Sequence, residues 1–104
     1  MTTTNPIIMN YINDISVHKS DSGDTYTSYN VNVKNFGEEI WVVTVCDVSS
    51  GSYVMIKKIS NNPFRGPGKE FESITEAIEN YNSDSMKSTL REIYNVHSNK
   101  VGVK

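Results

Sequence analysis

Ser60-Asn61-Asn62-Pro63-Phe64-Arg65-Gly66-Pro67-Gly68-Lys69-Glu70, running into Phe71-Glu72-Ser73-Ile74-Thr75-Glu76, divides the chain into a β-patterned half and a helical half. The loop holds Pro63, Pro67, Gly66 and Gly68 around Arg65, one of two arginines in the chain. Such a backbone is shaped and rich in exposed N–H groups. It suits an anion, and it equally suits a stiff connector.

Upstream of the loop the period is two. Met9, Tyr11, Asn13, Ile15 and Val17 alternate with Asn10, Ile12, Asp14 and Ser16, which predicts a strand from about residue 8 to residue 18. Lys19-Ser20-Asp21-Ser22-Gly23-Asp24 has turn chemistry, and the alternation of Thr25, Thr27, Tyr29, Val31 and Val33 after it completes a hairpin. Asn35-Phe36-Gly37-Glu38 offers a second tight connection. The nearly continuous apolar run from Ile40 to Val48 predicts a central strand covered on both faces. Ser49-Ser50-Gly51 then turns the chain into a fourth strand ending at Ile59.

Downstream, Ser73 and Glu76 form a capping box, a pair whose side chains satisfy exposed N–H groups at a helix start. Ile74, Ala77, Ile78 and Tyr81 succeed one another at helical spacing. Asn80 to Asp84 breaks this helix, and Asp84 or Ser85 is placed to cap a second one carrying Met86, Leu90 and Ile93. The expected fold is α+β: a four-stranded antiparallel meander over residues 8–59, a loop over 60–72, two short helices over about 73–97 packed on one face, and a frayed tail over 98–104. One domain accounts for the whole length. Two short helices leave large side chains for the uncovered face, drawn from Trp41, Tyr26, Tyr53 and Phe64, and an apolar open face predicts a homo-oligomer or a partner surface.

Composition narrows the function. A net charge of −2 and a pI near 5.6 exclude the broad positive field of a non-specific nucleic-acid binder. The single Cys46 allows no internal disulfide and fits a cytoplasmic setting. No apolar run is long enough to predict a membrane span, and residues 1–10 do not read as a signal peptide. His18 and His97 have no neighbour at metal-ligand spacing and read as surface residues, so neither metal nor cofactor is expected. Glu38-Glu39 and Glu70/Glu72 read as solvated charges. No nucleophile elbow, zinc-hydrolase or nucleotide-binding fingerprint occurs, and the expectation is a protein that is not an enzyme.

The charge is two-sided. Lys57, Lys58, Arg65 and Lys69 occupy a stretch free of acids, whereas Glu70, Glu72, Glu76, Glu79, Asp84 and Glu92 dominate residues 70–92. Lys57 and Lys58 suit a solvated strand edge. Arg65 beside Phe64 presents a planar cation next to an aromatic face, or else pairs with Glu72 or Glu76. Arg91 has Lys87, Ser88, Tyr94 and Asn95 as its helical neighbours and finds no acid among them. The candidate ligand-binding set is therefore Phe64, Arg65, Gly66, Gly68, Lys69, Asn82 and Arg91, with Lys87 beside them, and its expected ligand carries phosphate.

The outline of a polar β-meander with Lys69-Glu70-Phe71-Glu72-Ser73-Ile74-Thr75-Glu76-Ala77-Ile78 and a second short helix after it resembles small phage-encoded anti-defence proteins. Two groups are similar in style and size: the Thoeris anti-defence sponges, which sequester cyclic ADP-ribose-type signals, and a type I-F anti-CRISPR that binds the surveillance complex. The first resemblance implies aromatic, Asn and Arg side chains clamping a nucleotide in a host cytoplasm. The second implies contacts to a host defence protein through the open sheet face.

Overall fold

The computed structural model describes residues 10–34, 37–60 and 68–102. It is α+β, with an open antiparallel sheet of five strands and two C-terminal helices. The strands β1 (Ile12–Lys19), β2 (Thr25–Lys34), β3 (Glu38–Val48), β4 (Gly51–Lys58) and β5 (Lys69–Phe71) lie side by side in chain order, and α1 (Ile74–Asn80) and α2 (Asp84–Gly102) come after them. The meander is thus one strand longer than the sequence pattern predicts. β5 is only three residues long, too short for alternation to register, and it exists because Phe71 pairs with Val54 and Lys69 with Ile56. Gly68 makes this possible. Its φ of 88° lies in the left-handed region, and a Cβ there would collide with the Ile56 carbonyl oxygen.

β3 is central, as its apolar run predicts, but among the described residues helices cover only one of its faces. Val43 and Val45 point into the core together with Tyr29, Val31, Val33, Val54 and Ile56. The helices close this face with Ile74 and Ala77 from α1 and with Met86, Leu90 and Ile93 from α2. Each fully buried Val, Leu, Ile or Met side chain among them stabilises the fold by roughly 1.5–3 kcal/mol relative to exposure. The opposite face carries Tyr26, Val42, Thr44, Met55 and Tyr53, none of them fully buried, around a buried Cys46. Trp41 departs from expectation, because counting by twos from Val45 puts its indole on the helix side, against Tyr81.

Both helix starts are made by serines. The Ser73 hydroxyl accepts from the Glu76 N–H at 3.1 Å while the Glu76 carboxylate accepts from the Glu72 N–H at 3.0 Å, so the predicted capping box forms. For α2 the cap is Ser83, ahead of the predicted Asp84 or Ser85, its Oγ accepting from the Met86 N–H. α2 is also far from short. It continues to Gly102, where the sequence pattern predicts a tail from residue 98 onward.

Glu92 attaches α2 to the edge of the sheet. Its carboxylate accepts hydrogen bonds from the backbone N–H groups of Asn10, Tyr11 and Ile12 at 2.7, 2.8 and 3.0 Å. One side chain thereby receives three donors at the entry to β1, next to the bulge between Ile12 and Asp14. Ser73→Ala is expected to cost about 1 kcal/mol. Glu92→Ala should cost roughly 2–3 kcal/mol, since it removes a charged acceptor. Denaturant unfolding of both variants checks the ranking, and a reversed order would show that the β1 entry does not depend on this carboxylate.

Candidate functional site

At one end of the sheet a cleft of about 790 Å³ opens beside the α1–α2 link. Lys34 comes from the end of β2, Glu39 and Trp41 from the start of β3, and Lys58 from the end of β4. The other wall is Asn82 to Ser85, the link and first turn of α2. Antiparallel pairing explains the assembly: Trp41 stands opposite Lys58 and Glu39 opposite Val33, so these side chains share the helix-side face.

The charges inside are organised. Lys58 Nζ lies 3.0 Å from Glu39 Oε2, and the Trp41 indole N–H donates to Glu39 Oε1 at 3.1 Å. Glu39, which reads from sequence as a solvated charge, is therefore held between two partners and fixes the orientation of the indole. Tyr81 meets Trp41 edge to face with centroids 6.1 Å apart and touches Phe71 on its other side. Burial pushes the Tyr81 phenol upward. Across the cleft, the Lys34 N–H donates to the Ser85 hydroxyl at 2.9 Å and closes the junction between β2 and α2.

The described residues of the set singled out from sequence fall at different places in the fold. Phe64, Arg65 and Gly66 lie outside the described residues. Asn82 lines the cleft and is exposed there. Gly68 serves the close approach of β5 to β4, and Lys69 succeeds it at the β5 edge of the sheet. Arg91 is exposed on α2, on a helix that packs over β2 and β1. Among the described lining residues of the cleft, Asn82 alone comes from the expected set. Lys87 does not join it either, because its Nζ donates to the Ile78 carbonyl at 2.6 Å and caps the end of α1.

A second polar assembly is hidden from sequence. His97, expected at the surface, has a side chain only 12% exposed. Its Nδ1 lies 2.7 Å from the Tyr29 hydroxyl and its Nε2 lies 3.1 Å from Asp47 Oδ2. Tyr29 is fully buried, and its phenol is pushed up to about 12 by burial first and by the Asp47 charge second. It therefore stays a hydroxyl at neutral pH, hydrogen-bonded to Nδ1 on one side of the ring while Nε2 faces the Asp47 carboxylate on the other. Both ring nitrogens are engaged within the protein, and the chain Tyr29–His97–Asp47 fastens the C-terminal half of α2 to β2 and β3. A smaller cavity of about 190 Å³ lies beside it, reached by Ser52, Tyr94 and Ser98.

No protein-family model, curated protein or solved structure matches this chain. Among the described residues, no helix is long and apolar enough to cross a membrane.

The pKa of Tyr29 carries a pH dependence. Its folded value of about 12 exceeds the ordinary value of 10.0, so the folded state favours the neutral phenol. That stabilisation is complete below pH 10 and is lost as pH rises from about 10 to about 12. Unfolding free energy is expected to fall across this window, and Tyr29→Phe should flatten the decline. An equal decline in the variant would place the alkaline sensitivity elsewhere.

Proposed function

We propose that this chain binds and sequesters a phosphate-containing nucleotide signal without catalysis, as an anti-defence sponge would. The observation that carries the reading is the cleft: a volume of about 790 Å³ combined with an indole, the Lys58 side chain and an exposed asparagine. That size lies within the range of about 300–1,000 Å³ typical of small-molecule sites. Among the described lining residues, Lys58 stands with Glu39 and Asp84, so the lining is electrically mixed. Mixed charge suits a nucleotide better than a bare phosphate. Lys58 and the N-terminal end of α2 favour the phosphate, carboxylates accept from exocyclic amines of a base, and Trp41 offers a stacking face.

A second reading rests on a different observation. Tyr26, Val42, Met55 and Tyr53 stand half-buried on the open sheet face, and Ile40 is 45% exposed beside them. Such a face suits a host defence protein, the mode of action of an anti-CRISPR-like inhibitor.

Trp41 is the sole tryptophan and lines the cleft, so its fluorescence reports directly on occupancy. Heat-denatured purified protein is expected to release a nucleotide, and titration with linear and cyclic nucleotides should quench Trp41. Lys58→Ala and Asn82→Ala should each weaken binding, the lysine by about 1.5–3 kcal/mol because its contact is charge-assisted. Arg91→Ala should leave the affinity unchanged. Absence of both released nucleotide and quenching would overturn the sponge reading and favour the open face.

A further inference from the structure

Strand β1 is an edge strand of eight residues, and among the described residues nothing pairs with its outer side. The hairpin fixes which of its backbone groups look outward. Ser20 N–H donates to the Asp24 carbonyl at 2.8 Å, so Ser20 and, by alternation, His18, Ser16 and Asp14 turn their backbone groups toward β2. Ile15, Val17 and Lys19 therefore direct theirs outward. Val17 is 48% exposed, and no proline interrupts the strand.

We infer that β1 pairs antiparallel with β1 of a second copy of this chain, about a two-fold axis at Ser16, to form a continuous ten-stranded sheet. The strand is self-complementary in this register. Ile15 stands opposite Val17 of the second copy, outward backbone group against outward backbone group, and their apolar side chains share the helix-side face. Asp14 stands opposite His18 on the other face, in the wider-spaced hydrogen-bond position where side chains come closest. Imidazole meets carboxylate twice, once on each side of the axis. Shifting the register by two residues in the direction that sets Val17 opposite Val17 places Asp14 against Ser20 and His18 against Ser16, which loses both pairs. Shifting it the other way sets Ile15 opposite Ile15 and Asp14 against Ser16, with the same loss. The occupant is therefore a second copy, because the strand complements its own sequence and does so in one register. A dimer of this kind is isologous and closes on itself. It leaves the cleft free, since no β1 residue lines it.

The dimer is read by light scattering and sedimentation at high micromolar concentration. The 104-residue chain is expected at twice its 11.7 kDa mass. Asp14→Lys opposes a cation to His18 and should give the single-chain mass, while circular dichroism stays unchanged because both side chains are exposed. Adding His18→Asp to Asp14→Lys restores opposite partners and should restore the dimer. Ser16→Cys faces itself across the axis within disulfide reach and should cross-link on oxidation, whereas Ser22→Cys in the hairpin turn should not. Cys46 is buried and does not compete. A single-chain mass for the unaltered protein, an Asp14→Lys protein that stays dimeric, or a Ser16→Cys protein that does not cross-link would overturn the pairing.

Discussion

Helix α2 is held to the sheet by polar contacts at three heights, and the positions of the core, the cleft and the sheet edge depend on them. Ser85 receives the Lys34 N–H at the start of the helix, Glu92 receives three N–H groups of the β1 entry in its middle, and His97 bridges Tyr29 and Asp47 near its end. The apolar stripe of Met86, Leu90 and Ile93 supplies most of the burial energy, but a stripe tolerates sliding and rotation. Directional bonds do not. Three attachments along one rod fix its axis, its height and its roll over the sheet.

The same attachments explain which features are legible in the sequence and which are not. Strand periodicity, the Ser73 capping box and the spacing of Ile74, Ala77, Met86, Leu90 and Ile93 are local signals, and the architecture of sheet and then helices rests on them. The hydrogen bonds of Glu92 and His97 span 82 to 80 and 68 and 50 residues, respectively, and no window along the chain contains both partners. His97 looks like a surface histidine for that reason. β5 is invisible for another. Its pairing depends on Gly68 clearing the Ile56 carbonyl, a steric fact that exists only once β4 is in place.

The candidate site divides in the same way. Asn82 is legible because a helix-breaking polar segment marks a corner, and corners border clefts. Trp41, Lys58 and Glu39 are not, although the signal is present: parity along β3 from Val45 places Trp41 on the helix side, and the β3–β4 register then brings Lys58 to it. A nearly continuous apolar strand obscures parity, because both faces look alike when Ile40, Val42, Val43 and Val45 are read in one line. The rarity of arginine points instead to Arg91, a side chain that α2 turns away from its own core.

The cleft lies where the α1–α2 link and the first turn of α2, rather than a helix body, face the ends of β3 and β4. α1 has seven residues and spans about 10 Å at 1.5 Å per residue, whereas β3 has eleven and spans about 36 Å at 3.3 Å per residue. α2 begins beside the end of β2 and leads toward the β3–β4 turn, which its last attachment, at Asp47, reaches. The polar end of the sheet, with Glu39 and Lys58, therefore faces the α1–α2 link and the first turn of α2. A protein that needed only stability would fill this corner with aliphatic side chains, since removing a buried ion pair in favour of packed apolar groups is often neutral or better. Here an indole is instead held in a fixed orientation by a carboxylate that is itself tied to a lysine. That preorganisation is what the proposed ligand binding at this cleft would draw on.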